Sequence, residues 1–258
     1  MISCLMVTRP TARRIALAKH SIADYCRQTH TDRELVIVVD GTAAPDDVAA
    51  LSDFVTAQGR PDIRVHLPAV TGRLGALRNL GVALAAGDVI CQWDDDDRYH
   101  PQRLEAQYAR LNAADHEAVY LQEVMQYFPD REALYLTNWR STPAGGHPGT
   151  LMARRTAAIR YPEVGAEAEL GEDLAVALAL KARGRVGYLG GEAHLHVYVS
   201  HGENSWDPGH HAMLARELGV SIALLRRNEA SIRSGLAPFA FRADSINVTG
   251  HNGIAFRI

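Results

Sequence analysis

The chain has few cysteines, no long apolar run and almost no net charge. Its three cysteines, Cys4, Cys26 and Cys91, are widely spaced, which excludes a disulfide framework or CxxC metal site and favours a reducing compartment. No run approaches the ~20 apolar residues of a membrane span. With 27 basic and 30 acidic side chains, the formal net charge is −3, which provides no general attraction for nucleic acid. We therefore expect a cytoplasmic globular protein that does not bind nucleic acid.

Two segments could be mistaken for membrane-directed signals. The apolar start, Met1–Pro10, lacks the basic n-region and the small-residue cleavage site of a signal peptide. We expect it to form the first strand. The arginines between Arg216 and Arg233 would allow peripheral membrane contact, although solvated arginines are the commoner reason for such a pattern. The sequence leaves the oligomeric state open.

Short apolar runs alternate with helical patterns in the first half of the chain. The predicted strands are Ile2–Val7, Leu35–Val39, Ile63–Leu67 and Val89–Trp93, and the predicted helices are Thr11–Cys26, Asp46–Ala57 and Leu74–Ala86. This alternation predicts a parallel sheet with crossover helices. In the second half we predict strands at 118–128, 133–139, 186–189 and 194–200 and a largely helical segment at 208–228. The stretch Leu174–Ala182 is apolar on all sides, which predicts a buried helix.

Four consecutive carboxylates, Asp94–Asp97, follow directly after the fourth predicted strand. Ligands of open α/β sheets bind at the carboxyl ends of strands. Adjacent charges ~6 Å apart repel by roughly 0.7 kcal/mol in water and by more in a drier cleft. A hard divalent cation relieves this repulsion, and Mg²⁺ commonly combines one or two carboxylates with substrate phosphates. The run therefore predicts a site for a metal–diphosphate, and the alternative is a solvated turn that caps the next helix.

Several segments occur in an order that resembles the family 2 glycosyltransferases of GT-A fold, over about residues 1–205. They are Ile2–Pro10, Glu34–Gly41, Arg73–Gly81, Gly87–Asp97 with Pro101, Gly171–Asp173 and Tyr198–Trp206. The resemblance implies an α/β fold with a Rossmann-like nucleotide-binding half over 1–100, a mixed, mainly parallel central sheet, and an acceptor-binding half over 101–205. We expect residues 206–258 to form a C-terminal helical extension.

The same resemblance implies a metal-dependent, inverting transfer. A sugar would move from a nucleoside diphosphate sugar, UDP-sugar by family frequency, to a hydroxyl of a glycan, lipid-linked or small-molecule acceptor, with Mn²⁺ or Mg²⁺ as cofactor. The residues implied at the donor nucleotide and sugar are Thr8, Arg9, Asp40, Arg73, Asp94 and Asp95. Asp96 and His201 are implied at the metal, and Asp173 is implied as the catalytic base beside Glu172.

Some of these residues have structural alternatives. Asp40 precedes a glycine and could form a turn, and Glu172 and Asp173 could only cap a helix. If Asp173 does lie in the first turn of a helix, the partial positive charge there favours its ionised form, which a base needs. Arg78 is a candidate structural partner of the acidic run. His147 is a weak candidate for contact with acceptor or donor.

Further alternatives concern aromatic residues and the function itself. We expect His210 and His211 to be solvated, and Trp139 and Trp206 either to pack in the core or to stack on sugars. A sugar-phosphate nucleotidyltransferase would carry a glycine-rich basic signature near the N-terminus, and residues 8–14 contain arginines but no glycine. A non-catalytic sugar-nucleotide binder is the third possibility.

Overall fold

The first half of the chain forms an alternating α/β unit in the computed structural model, which describes residues 1–68, 72–156, 159–241 and 245–258. Its strands are β1 (Ile2–Thr8), β2 (Arg33–Val39), β3 (Ile63–His66) and β4 (Val89–Gln92), and its helices are α1 (Ala12–Cys26), α2 (Pro45–Ala57) and α3 (Leu74–Leu84). The four strands are parallel, in the order β4-β1-β2-β3. Every residue of β2 is buried, as is typical of a parallel strand with both sheet faces covered. The predicted alternation is confirmed.

The rest of the chain forms the remaining strands and α-helices. In order these are β5 (Arg98–Tyr99), α4 (Arg103–Asn112), β6 (Ala118–Leu121), β7 (Glu123–Phe128), β8 (Ala133–Asn138), β9 (Met152–Arg154), α5 (Glu172–Ala182), β10 (Val186–Leu189), β11 (His196–Val199), α6 (Pro208–Leu218), α7 (Ile222–Arg227), α8 (Glu229–Leu236), β12 (Asn247–Gly250) and β13 (Gly253–Arg257). The predicted strand 118–128 is two strands, and β5 and β9 were not predicted.

The strands form two sheets. The first has the order β10-β6-β9-β4-β1-β2-β3, and only β9 is antiparallel to its neighbours there. This agrees with the mixed, mainly parallel central sheet of a GT-A fold. The second sheet has the order β13-β12-β8-β7-β11-β5. The strand β5 follows the acidic run directly and pairs with β11. The C-terminal end of the acidic run is therefore held by the second sheet, while its N-terminal end follows β4 of the first sheet.

The C-terminal segment is not helical throughout. Helices α6 to α8 agree with the predicted extension, but the chain ends in a hairpin, and β12 pairs with β8 in parallel. The turn contains Asn252 and Gly253, both with positive φ, and Asn-Gly is a strong hairpin signal in the sequence. Val248 and Ile246 of this segment pack with the buried residues Leu134 and Val197. The C-terminal segment is therefore part of the hydrophobic core of the second sheet.

Helix α5 is only half buried, which corrects the prediction of a fully buried helix. Val176 and Leu180 are buried, whereas Leu174 and Leu178 are 39% and 41% exposed. The first turn of α5 lies in the wall of a cavity, so part of its apolar surface faces open space. Gly171 precedes the helix with φ of +87°, a conformation that glycine adopts without strain. That turn directs Glu172 and Asp173 towards the acidic run.

Candidate active site

A cavity of about 380 Å³ lies beyond the carboxyl ends of β1 and β4, where ligands bind in open α/β sheets. Its charged lining residues are Arg14, Arg78, Asp94, Asp95, Asp96, Asp97, Glu169, Glu172 and Asp173. The fold therefore brings the acidic run after β4 and the acidic pair of α5 into one cavity. Each of these carboxylates has different partners, and the partners decide what each one can do.

Arg78 connects the two acidic segments. Its Nη1 lies 3.0 Å from Asp94 Oδ1, and its Nε donates a 2.8 Å hydrogen bond to Glu172 Oε1. Burial disfavours the charged guanidinium, but Asp94 and Glu172 outweigh this effect and raise the pKa of Arg78. Glu172 is buried and engaged in this ion pair, so it holds the site together and is not a second free carboxylate.

Asp95 is held by two residues from the first strand and helix. Thr8 Oγ1 donates a hydrogen bond to Asp95 Oδ2, and Arg14 Nη2 donates one to Asp95 Oδ1. Burial raises the pKa of Asp95 to about 6, with Arg14 opposing the rise and Asp96 adding to it. Sequence reasoning missed Arg14. The available signal was its position in the first turn of the helix that begins directly after β1.

Asp96 and His201, the two implied metal ligands, are in contact. Asp96 Oδ2 lies 3.0 Å from His201 Nε2 and 3.3 Å from Arg14 Nη2. Burial would raise the pKa of Asp96, but the hydrogen bond with His201 and the charge of Arg14 lower it. A carboxylate oxygen suits Mn²⁺ or Mg²⁺ when diphosphate oxygens supply further ligands, and an imidazole nitrogen as second donor favours Mn²⁺ over the harder Mg²⁺. Among the described residues, no group of three or more His, Cys, Asp or Glu is arranged to hold a metal.

Asp97 turns away from the other three carboxylates. Its Oδ1 accepts a 2.9 Å hydrogen bond from the Val199 amide, and its Oδ2 lies 3.1 Å from His196 Nε2. Both Asp97 and His196 are buried, and burial raises the pKa of Asp97. The contact attaches the acidic run to β11, two residues before His201, and thereby positions Asp96 opposite that histidine.

Asp173 lies in the cavity wall near the N-terminus of α5. Its Oδ1 accepts a 2.7 Å hydrogen bond from the Leu174 amide. Desolvation and the charge of Glu172 nevertheless raise the pKa of Asp173 to about 7, while Arg78 opposes the rise. This corrects the expectation that the helix terminus favours ionisation. A base with a pKa near 7 is half ionised at neutral pH and well matched to accept a proton there.

Five of the predicted residues lie outside the cavity lining: Thr8 and His201, which contact Asp95 and Asp96 from behind it, and Arg9, Asp40 and Arg73. Arg9 Nε and Nη2 donate hydrogen bonds of 2.9 and 2.6 Å to Asp40 Oδ2, while Asp40 Oδ1 accepts from the amide and hydroxyl of Thr42. Burial would raise the pKa of Asp40, but these hydrogen bonds lower it. Arg73 is exposed and donates a 2.6 Å hydrogen bond to the Gly165 carbonyl, with Glu169 3.8 Å away.

Much of the remaining lining of the cavity is aromatic or apolar. These residues include Trp139, Pro143, Ala144, His147, Tyr198, Leu170, Leu174, Trp206, His210 and Leu214. The rings of Trp206 and His210 are stacked, with centroids 4.2 Å apart and an interplanar angle of 18°, and Trp206 is 37% exposed. His211 is buried, which corrects the expectation that it is solvated, whereas His210 is partly exposed and stacks on Trp206.

Comparison with known proteins identifies the family. A sequence model described as "Glycosyl transferase family 2" matches residues 7–157, which is more than half of the chain. The chain belongs to glycosyltransferase family 2. This glycosyltransferase is 32% identical over 100 residues to WcaA of Escherichia coli (strain K12), whose name assigns it to colanic acid biosynthesis. The match covers 39% of this chain and 35% of WcaA. The family assignment removes the support for a nucleotidyltransferase.

Solved structures show the same fold at low sequence identity. Residues 1–349 of Staphylococcus aureus TarS, in complex with UDP-GlcNAc, match with a TM-score of 0.60 and 15% identity over 94% of this chain and 67% of that one. The Pyrobaculum calidifontis mannosyltransferase PcManGT, in complex with GDP-Man and Mn²⁺, matches with a TM-score of 0.58 and 14% identity over 92% and 63%. These similarities establish the GT-A-like fold of the glycosyltransferase. Within the described part of the chain, none of its helices has the length and apolarity to cross a membrane.

Proposed function

We propose that this glycosyltransferase moves a sugar from a nucleoside diphosphate donor to an acceptor hydroxyl, with inversion and with Mn²⁺ or Mg²⁺. The observation that carries the proposal is one cavity whose lining includes both Asp173, with a pKa of about 7, and Asp96, whose carboxylate contacts His201. Proton removal and diphosphate binding are the two tasks that the transfer requires. UDP is the first candidate nucleotide and GDP the second, since structural neighbours are complexed with UDP-GlcNAc and GDP-Man.

On the donor side, Asp40 with Arg9 and Thr8 would receive the nucleoside, and Asp94 and Asp95 would face the ribose and sugar. Asp96 and His201 would hold the cation, which when bound neutralises charge on the leaving diphosphate. Arg73 would contact the nucleotide only after it leaves the Gly165 carbonyl. Arg78 joins the two sides of this arrangement, because its ion pairs with Asp94 and Glu172 connect the donor side to the first turn of α5.

On the acceptor side, Asp173 would take the proton of the attacking hydroxyl. The acceptor would lie between Asp173 and the stacked Trp206 ring, because both line the same cavity. The acceptor would be a carbohydrate, whose ring packs on an indole face, and would include glycan and lipid-linked acceptors as well as small glycosides. Deprotonation by Asp173 and departure of the diphosphate on the opposite side of the anomeric carbon give inversion in one displacement.

The assignment of Asp96 as a metal ligand predicts that Asp96→Ala strongly lowers metal affinity and transfer activity. Loss of an outer-shell partner of a metal site costs about 10- to 100-fold in affinity or activity, and loss of a direct ligand should cost at least as much. Transfer and donor hydrolysis are measured with UDP- and GDP-sugars over a range of Mn²⁺ and Mg²⁺ concentrations. Asp53→Ala, which removes an exposed carboxylate on α2, is the matched control. Full activity of Asp96→Ala, or activity without divalent cation, would refute the metal role.

The acceptor assignment predicts that Trp206→Ala weakens acceptor binding and spares donor chemistry. Aromatic stacking contributes about 0.5–1.5 kcal/mol, so we expect the acceptor KM for methyl pyranosides to rise about 2- to 12-fold. Hydrolysis of the donor, in which water replaces the acceptor, should remain within about twofold of the wild-type rate. Met213→Ala, which removes an exposed apolar side chain of the following helix α6, is the control. An equal loss of hydrolysis and transfer would reject the assignment.

A further inference from the structure

Arg14 lies where two neighbouring carboxylates of the acidic run converge. Its Nη2 donates to Asp95 Oδ1 and lies 3.3 Å from Asp96 Oδ2. The side chains are largely buried, with 19% of Arg14, 2% of Asp95 and 13% of Asp96 exposed. Within the described residues, Arg14 is the only arginine or lysine in ion-pair contact with either carboxylate.

The other two members of the run do not depend on Arg14. Asp94 is paired with Arg78, and Asp97 accepts from the Val199 amide beside His196. The repulsion between Asp95 and Asp96 is therefore relieved by one guanidinium that both share. Two like charges in a partly buried site strongly favour a cation between them. Arg14 provides one positive charge, whereas a divalent cation at Asp96 would provide two.

We propose that Arg14 is an internal counter-charge that substitutes for the divalent cation in the ligand-free enzyme and transfers to the diphosphate when the donor binds. The inference rests on the proposed function, because it assumes a metal at Asp96. A cation that enters alone would meet a guanidinium already bound to its ligand, and the displaced Arg14 would keep its hydrogen bond to the Glu203 carbonyl but would need a new anion in place of the two carboxylates. A diphosphate provides that anion, and guanidinium groups bind phosphate oxygens with strong, charge-assisted hydrogen bonds. Arg14 lines the cavity and can remain within it.

This exchange makes cation binding and nucleotide binding cooperative. The cation should bind weakly by itself and tightly with the diphosphate, and the coupling should depend on Arg14. Coupling between two ligands is typically about 5- to 150-fold in affinity. Arg14 is thus a positioning residue for the cation and a direct ligand of the diphosphate.

The test measures Mn²⁺ affinity by electron paramagnetic resonance, without nucleotide and with UDP or GDP, in wild-type protein and three variants. Arg14→Gln removes the charge, and Arg14→Lys keeps it. Arg13→Gln is the matched control, because Arg13 is the neighbouring arginine of α1 and contacts Glu203 and the His201 carbonyl but no carboxylate of the acidic run. Thermal unfolding without metal is recorded in parallel.

We expect Arg14→Gln to bind Mn²⁺ alone about 5- to 150-fold more tightly than wild type and to lose most of the tightening by UDP or GDP. Arg14→Lys and Arg13→Gln should keep wild-type Mn²⁺ affinity. A merely structural role would weaken Mn²⁺ binding in Arg14→Gln, so unchanged or weaker binding would overturn the inference while leaving the proposed function intact. If wild-type protein binds no Mn²⁺ even with both nucleotides, the metal-dependent function fails and the inference fails with it.

Discussion

Replacing Asp173 with asparagine is expected to lower the rate of sugar transfer by about two to four orders of magnitude, the usual contribution of general acid–base catalysis. Asparagine has nearly the same size and still accepts the hydrogen bond from the Leu174 amide, but it cannot take a proton. The measurement is kcat for transfer, with UDP affinity recorded to show that the donor side is intact. Glu169→Gln, a substitution in the wall of the same cavity, is the control and should stay close to wild type.

The pH dependence of the wild-type enzyme follows from the same residue. Asp173 must be ionised to act as a base, and its pKa is raised to about 7 by desolvation and by Glu172. The value of kcat/KM should therefore be constant well above pH 7 and fall about tenfold per pH unit well below it. In Asp173→Asn this limb should disappear. A wild-type profile that is flat between pH 5 and 8, or a limb that persists in Asp173→Asn, would assign the proton transfer to another group.

Replacing Arg78 with methionine is expected to lower the free energy of unfolding by about 3–5 kcal/mol, the usual cost of removing one partner of a buried ion pair. The substitution leaves Asp94 and Glu172 facing one another without the guanidinium that joins them. The loss is measured by urea denaturation at neutral pH. Transfer activity should also fall, because α5 is no longer tied to the acidic run.

Two variants separate this effect from a general loss of packing. Arg73→Met changes the arginine directly before α3, the helix that contains Arg78. Arg73 is 52% exposed, and an exposed ion pair contributes only about 0–1 kcal/mol to stability. Adding Glu172→Gln to Arg78→Met removes one of the stranded charges and should recover part of the lost stability. If Arg78→Met is no less stable than Arg73→Met, the ion pairs of Arg78 with Asp94 and Glu172 do not contribute the stability assigned to them.

Local signals in the sequence were sufficient for much of the first sheet. Leu35–Val39 and Ile2–Val7 are continuous apolar runs with the length of buried strands, and the helices between them show amphipathic spacing, so the observed bounds of β1 and β2 differ little from the prediction. The position of Asp94–Asp97 after a strand also predicted correctly that this run would lie at the sheet edge where a cavity forms. Local propensity is decisive here because each element is long and regular.

The strands of the second half of the chain were harder to predict because their pairings are non-local. Strand β9 has three residues and pairs between β4 and β6, and β12 joins β8 from the far end of the chain. Strands this short show little hydrophobic periodicity, so whether they form depends on packing against the rest of the protein. The same reason explains the exposed Leu174 of α5, since the apolar pattern of that helix does not reveal that its first turn borders a cavity.

The sequence by itself determined the order of strands and helices, the position of the acidic run, and the residue types available for a cation and a base. Tertiary structure alone decided which charges meet: Arg14 with Asp95 and Asp96, and Arg78 between Asp94 and Glu172. It also decided that Asp173 has a raised pKa, although a helix N-terminus taken alone favours the opposite. The physical reason is that propensity acts between neighbours along the chain, whereas burial and Coulomb interactions depend on distances in space, which only the folded chain defines.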